Sequence, residues 1–178
     1  MTKAVFTTRA NSIYDDIPEI RYHFPGTYLN VVEAARDDLI VYYEPRRGDG
    51  RQAYFAVAKV SDVVPDYDRP NHYYAYIQTD SYLELVRPVG WQNDNGAYES
   101  GLLKADGTAN RGLFGRAVRT LDETAFAEIL TAGLARDALL LDRQPPITEL
   151  QPGFIETGVP FIPEPRAVIE TLEQSPIT

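Results

Sequence analysis

Residues 38–60 read DLIVYYEPRRGDGRQAYFAVAKV. A hydrophobic run, a Gly/Asp-rich turn and a second run alternating apolar and polar residues predict a β-hairpin with Arg46, Arg47 and Arg51 at its tip. Just upstream, residues 14–29 read YDDIPEIRYHFPGTYL. They set Tyr14, Tyr22, His23, Phe24 and Tyr28 among carboxylates and prolines, denser in aromatics than an ordinary surface loop. Together the two stretches predict a surface that grips a backbone beside a pocket that holds a flat ring.

The 178 residues carry a net charge of -9, unevenly spread. Residues 1–119 hold 14 Lys and Arg against 16 Asp and Glu, a net of -2, and residues 120–178 hold 3 against 10, a net of -7. In the near-neutral first part 11 of the 14 cations are arginine, the side chain suited to bidentate phosphate contacts and to stacking on flat rings. A charge-driven, non-specific DNA coat is excluded, and a geometrically specific site stays open. No apolar run reaches the ~18 residues of a membrane span, and the N-terminus has no apolar core of a secretory signal. The absence of cysteine removes disulfides, thiolate nucleophiles and cysteine zinc sites, and fits a cytoplasmic location.

Along the chain, residues 3–8 predict a first strand and residues 13–25 a turn and short helix followed by loop. Residues 27–35 predict a helix, and residues 39–43 and 54–60 the two hairpin strands. Residues 63–70 read as a polar connection. Residues 71–79 and 82–89 predict further strands. Residues 122–135 are the clearest amphipathic helix, with Phe126, Ile129, Leu130 and Leu134 on one face. After Leu141 seven prolines crowd the sequence. The expected organisation is therefore a domain over residues 1–141 and a proline-rich, acidic linker or arm over residues 142–178.

Several side chains are candidates for chemistry. Arg46, Arg47 and Arg51 suit a groove or phosphates, or simply keep the turn soluble. Tyr22, His23 and Phe24 suit one wall of a pocket for a flipped base, or plug the open end of a barrel. Asp15 and Asp16 suit reading of a base's Watson–Crick edge, or cap a following helix. Arg111, Arg116 and Arg119 form a second basic cluster, with Arg116 and Arg119 spaced to share a helical face. Catalytic signatures are missing: two histidines, no HExxH, GxSxG or phosphate-cradling spacing, and scattered carboxylates at Asp15, Asp16, Glu44 and Glu99.

The order YDD–x–P–x–x–RYHFP–x–x–YL, then DLIVYYEPRR, AVAKVSDVVPD and YESGLLKADGTANRGLFGRAVRTL resembles the N-terminal domain of bacterial HNH-type restriction endonuclease-like proteins, over about residues 3–135. That domain is similar to the PUA-like group, with its EVE, ASCH, YTH and SRA modules. The resemblance implies an α+β, PUA-like twisted β-barrel flanked by helices, whose concave face binds double-stranded DNA carrying a modified or flipped base in a phage-defence, restriction-modification setting. On that reading Tyr22, His23, Phe24, Tyr42, Trp91, Asp15 and Asp16 form the base pocket. Arg46, Arg47, Arg51, Arg111 and Arg116 hold the nucleic-acid backbone.

The family's Mg²⁺-dependent nuclease has no matching residues here, so no cofactor or catalytic residue is expected within this chain. Cleavage is expected from an HNH domain acting in cis or in trans, with an oligomer possible in principle. Two readings of other classes remain: a self-contained metal-dependent nuclease using the scattered carboxylates, and a protein-interaction module using the acidic tail.

Overall fold

The strands that lie at the centre of the sheet carry apolar runs without polar alternation. The computed structural model describes residues 2–8, 14–46 and 50–134, within the first of the two units into which the chain divides, Met1–Ala138. β1 (Lys3–Thr7), β3 (Leu39–Glu44) and the first half of β4 (Ala53–Pro65) are buried on both faces. A strand sandwiched in this way needs apolar groups in both directions, hence KAVFT, LIVYYE and AYFAVA. Alternate residues feed two cores. Phe6, Tyr42 and Ala58 pack on one side, and Val5, Val41 and Val57 on the other.

β2 (Arg21–Pro25), β5 (His72–Ile77), β6 (Leu83–Gly90) and β7 (Val118–Leu121) complete a seven-stranded sheet ordered β2-β5-β4-β3-β1-β7, with β6 beside β4. β1 and β3 are parallel and the other ladders antiparallel. The 13-residue β4 belongs to two ladder systems. Its first half pairs with β3 and β6, and after a register shift between Val60 and Asp62 its second half pairs with β5. A bulge bends and twists a strand, so this shift turns the β5–β2 ribbon away from the plane of β3.

The fold is thus mixed α+β, but the sheet is open. Among the described residues no backbone ladder joins the end strands β2 and β7, so a closed barrel is not formed. A side chain spans the gap instead. The Tyr22 hydroxyl on β2 donates to the Thr7 carbonyl at 2.9 Å and lies 3.0 Å from the Ala117 carbonyl just before β7. Its ring stacks on Phe6 with centroids 4.6 Å apart. Tyr28 adds a second link by accepting the Ala117 N–H at 3.2 Å.

Residues 17–25 form no helix. Ile17 to Ile20 turn the chain, and RYHFP becomes β2, paired residue by residue with β5. Its alternation decides this: Tyr22 and Phe24 enter the core while His23 faces outward onto Tyr74. Pro25 sits at the strand end, where a missing N–H is tolerated. The region expected to be a polar connection after Val63 is partly the second half of β4.

α1 (Leu29–Ala34) buries Val32. α2 (Arg111–Phe114) is a single turn capped by the Asn110 side chain. α3 (Glu123–Leu134) starts where the Asp122 carboxylate accepts the Ala125 N–H at 2.8 Å, an N-cap. Its buried residues are Ala125, Phe126, Ile129 and Gly133, whereas Leu134 is 36% exposed. Gly133 takes the expected place of Leu134 on the inner face because a Cβ there would come within 2.8 Å of Leu85 on β6. No helix among the described residues is long and apolar enough to cross a membrane.

One charged pair lies inside the fold. Arg119 on β7 is 4% exposed and Glu99 3%. The guanidinium donates to both Glu99 oxygens, at 2.5 and 2.8 Å, and to the Thr7 hydroxyl at 2.9 Å. The Tyr54 hydroxyl donates to Glu99 at 2.6 Å. Burial, then the Glu99 charge, push Tyr54 well above its ordinary pKa. The helical face expected for Arg116 and Arg119 is absent, since Arg119 points inward from a strand and Arg116 is exposed in the preceding turn.

These buried groups set the expected cost of two substitutions. Removing the Tyr22 hydroxyl (Tyr22→Phe) costs about 1–2 kcal/mol in urea denaturation, the worth of a buried hydrogen bond and the carbonyl it satisfies. Glu99→Ala costs about 3–5 kcal/mol because it strands a buried guanidinium, and Glu99→Leu combined with Arg119→Met recovers most of that loss.

Candidate nucleic-acid interface

The expected pocket aromatics separate into core and surface. Tyr22, Phe24 and Tyr42 are 2%, 0% and 0% exposed. Tyr22 and Phe24 are consecutive inward positions of β2, and Tyr42 donates its hydroxyl to the Pro18 carbonyl at 3.0 Å. They plug one core and present no ring face to a ligand, which corrects their assignment as pocket walls. Trp91 is half-buried in the other core, edge-on to Phe114 at 4.9 Å. It is therefore not gathered with them.

His23 is 5% exposed on the outer side of β2. Its Nε2 lies 3.0 Å from Asp66 Oδ2, and its ring stacks on Tyr74 at 4.5 Å. Burial is the main influence lowering its pKa, with Asp66 opposing. Enclosed to this degree, it too is a packed group rather than an exposed wall.

The four scattered carboxylates sort themselves by partner. Asp15 pairs with Arg21, Glu44 with Arg51 at 3.0 Å, and Glu99 with Arg119. Asp16 alone of the four has no ion pair among the described residues. It is partly buried, and its Oδ1 accepts the His23 N–H at 2.8 Å. Burial, with the neighbouring Asp15 charge adding, raises its pKa from 3.8 to about 6 despite that hydrogen bond. Its charge is felt by both the Tyr22 and Tyr42 hydroxyls, which burial already pushes up. Asp16 therefore sits where the rolled sheet is bridged, near the Tyr22 hydroxyl that also meets Ala117, the residue after Arg116.

A second group of side chains borders the same rim. Tyr42 packs on Phe55 at 6.0 Å and near Tyr82 at 6.1 Å. The Arg51 guanidinium lies 4.7 Å over the Phe55 ring, a cation–π contact. Glu19, Ile20, Ile77, Thr79, Asp80 and Tyr82 line an open cleft of about 350 Å³ beside it. Arg46 is exposed at the start of the hairpin loop, and Arg47 lies outside the described residues. Arg111 on α2 and Arg116 after it are exposed. Phe55 and Tyr82 are not among the residues that the sequence singles out. The signal for Phe55 lies in its spacing from Arg51, four residues apart across the start of a strand.

No family model matches this sequence, and no curated protein matches it. Among solved structures the chain is similar to the NMR structure of Rpa0253 from Rhodopseudomonas palustris, at 14% identity and a TM-score of 0.49. That alignment covers 75% of this chain and 93% of the other. It is also similar to the crystal structure of Atu2648 from Agrobacterium tumefaciens, at 12% identity and a TM-score of 0.47, over 76% of this chain and 96% of that one. Likeness at this level assigns neither a family nor an activity.

A carboxyl whose folded pKa is raised contributes stability below its unfolded pKa and loses it as pH rises through the folded value. Asp16 thus disfavours folding above about pH 6. Asp16→Asn keeps the acceptor for His23 and removes the charge. It is expected to stabilise the protein by about 1–2 kcal/mol at pH 7, discounted for partial exposure, and by nothing near pH 4. Parallel urea titrations of both proteins at the two pH values measure this difference; equal stability at pH 7 contradicts it.

Proposed function

We propose that this chain is a DNA-recognition domain of the PUA-like kind, in which Asp16 reads a base edge and the β3–β4 hairpin arginines hold the phosphate backbone. One observation carries the reading. Asp16 is a partly buried carboxyl, raised to about 6, with no ion pair among the described residues, while its three fellow candidates are each held by an arginine. A charge kept in a position that disfavours folding points to a ligand. A carboxyl accepts from exocyclic amines of bases, so a base extruded to the rim meets suitable chemistry there.

The hairpin supports the same division of labour. Arg46 and Arg51 stand at the start and end of the loop between β3 and β4, with Arg51 set over Phe55 beside Tyr82. Backbone contacts position a protein on DNA, and base contacts specify the sequence. Strand cleavage, on this reading, belongs to an HNH nuclease domain in cis or in trans, and the chain itself supplies recognition.

The test is binding of duplex DNA across a salt series, with modified and unmodified sites compared. Arg46→Ala combined with Arg51→Ala is expected to flatten the salt dependence by ~0.9 in slope for each phosphate that the variant no longer neutralises. Asp16→Ala is expected to leave that slope unchanged while lowering preference for the favoured site by about 1–3 kcal/mol. Wild-type protein that binds no duplex at low salt overturns the proposal. Unaltered site preference in Asp16→Ala removes Asp16 from the reading role.

A further inference from the structure

The backbone that holds Asp16 belongs to a residue with a buried imidazole on the opposite face of the strand. His23 donates its N–H to Asp16 Oδ1 at 2.8 Å. Its ring is enclosed by Tyr14 (edge-on, 5.4 Å), Tyr74 (stacked, 4.5 Å) and His72 (5.4 Å). Asp66 Oδ2 approaches Nε2 at 3.0 Å, off the line of a hydrogen bond, and Nδ1 has no hydrogen-bond partner among the described residues. The Arg69 guanidinium lies 5.6 Å over the outer face of Tyr14. His72 donates or accepts through Nδ1 with the Pro70 carbonyl at 2.9 Å, and the Asp66 N–H donates to the His72 carbonyl at 2.8 Å. The charged and titratable groups around the ring are thus Asp66 and Arg69 from the turn after β4, His72 and Tyr74 from β5, and Tyr14 and Asp16 from the segment before β2.

The geometry points to a proton-operated latch. Neutral His23 lets Tyr14 close over its ring and holds Asp16 in place, and protonation of His23 lifts Tyr14 and releases the Asp16 segment. The proposal rests on the reading of Asp16 as the base-reading group and adds its regulation. The physical reason lies in Nδ1. Neutral imidazole leaves one nitrogen as a bare acceptor, whereas imidazolium makes both nitrogens donors. A buried N–H⁺ without an acceptor is expensive, so the charged ring needs water.

Tyr74 is held in a central ladder of the β2–β5 ribbon and cannot withdraw. Tyr14 lies in irregular backbone two residues before Asp16, and is the lid that can move. Asp66 favours the charged ring, while burial, His72 and Arg69 oppose it and hold His23 below its ordinary value. Acid therefore opens the latch after ordinary histidines have already titrated. A small bias at one buried histidine is the usual form of such switches.

The chain has two histidines, so the two imidazoles are resolved by NMR in the full protein. The titration is run from pH 8 to 5 on Asp16→Asn, which keeps the acceptor for His23 and removes the titration of Asp16 itself. The amides of positions 14–16 are expected to shift with the His23 midpoint and not with that of His72. Tyr14→Ala in the same background is expected to raise the His23 midpoint toward its ordinary value and to abolish the shared titration. Tyr14→Phe, which keeps the ring, is expected to preserve both.

Amides at 14–16 that ignore the His23 midpoint overturn the latch, and so does an unchanged midpoint in a folded Tyr14→Ala protein. Should Tyr14→Ala not fold, the co-titration in Asp16→Asn decides alone. Failure of the latch with DNA binding intact leaves the recognition reading standing. Co-titration in a protein that binds no DNA leaves the latch and removes that reading.

Discussion

The structure hangs on one hydroxyl. Tyr22 lies on an end strand, yet its phenol reaches the Thr7 and Ala117 carbonyls at the other end of the sheet. Two strand edges that a barrel would join by a ladder are joined by a side chain. An open edge normally presents unpaired backbone groups, and here a buried tyrosine satisfies some of them. That arrangement holds the rolled sheet around Phe6, Tyr42 and Phe24, and it brings the irregular segment before β2 to the rim where Asp16 lies.

The same roll explains why the aromatic density of residues 14–29 divides between two jobs. Alternation along β2 sends Tyr22 and Phe24 inward and His23 outward. The inward rings fill the core that a small curved sheet must fill. The outward one meets Tyr14, His72 and Tyr74, a second aromatic cluster on the far face. A single five-residue strand therefore builds the core, supports the candidate site through its backbone, and carries a titratable group behind it.

Much of the fold is legible in the sequence because its physics is local. The runs in β1, β3 and β4 announce buried strands, and the hairpin from Asp38 to Val60 follows from its turn residues. β2 reads wrongly because Pro18 and Pro25 bracket it, and a local breaker signal outweighs so short an alternation. Gly133 on α3 is hidden from sequence reasoning because its role depends on Leu85 of a distant strand. The site is partly legible for a similar reason. A carboxylate's neighbours in sequence do not reveal which cation it will meet. Asp15 finds Arg21 and Glu99 finds Arg119 only through the fold, and the same folding gives Asp16 no such partner among the described residues.

Two titrating groups thus stand back to back across β2, with opposite consequences. Folding raises the Asp16 pKa, so its penalty grows as pH rises through about 6. Folding lowers the His23 pKa, so its support is present above 6.5 and is lost as pH falls through the depressed value. One group disfavours the folded site at neutral pH and the other disfavours it in acid. Because the His23 N–H is the donor to Asp16, the two are joined by one hydrogen bond. Protonating Asp16 weakens that bond by removing the acceptor's charge, and protonating His23 loosens the segment that bears the acceptor. Acid thus acts on the Asp16 site from both sides of the strand, even though the two groups push overall stability in opposite directions.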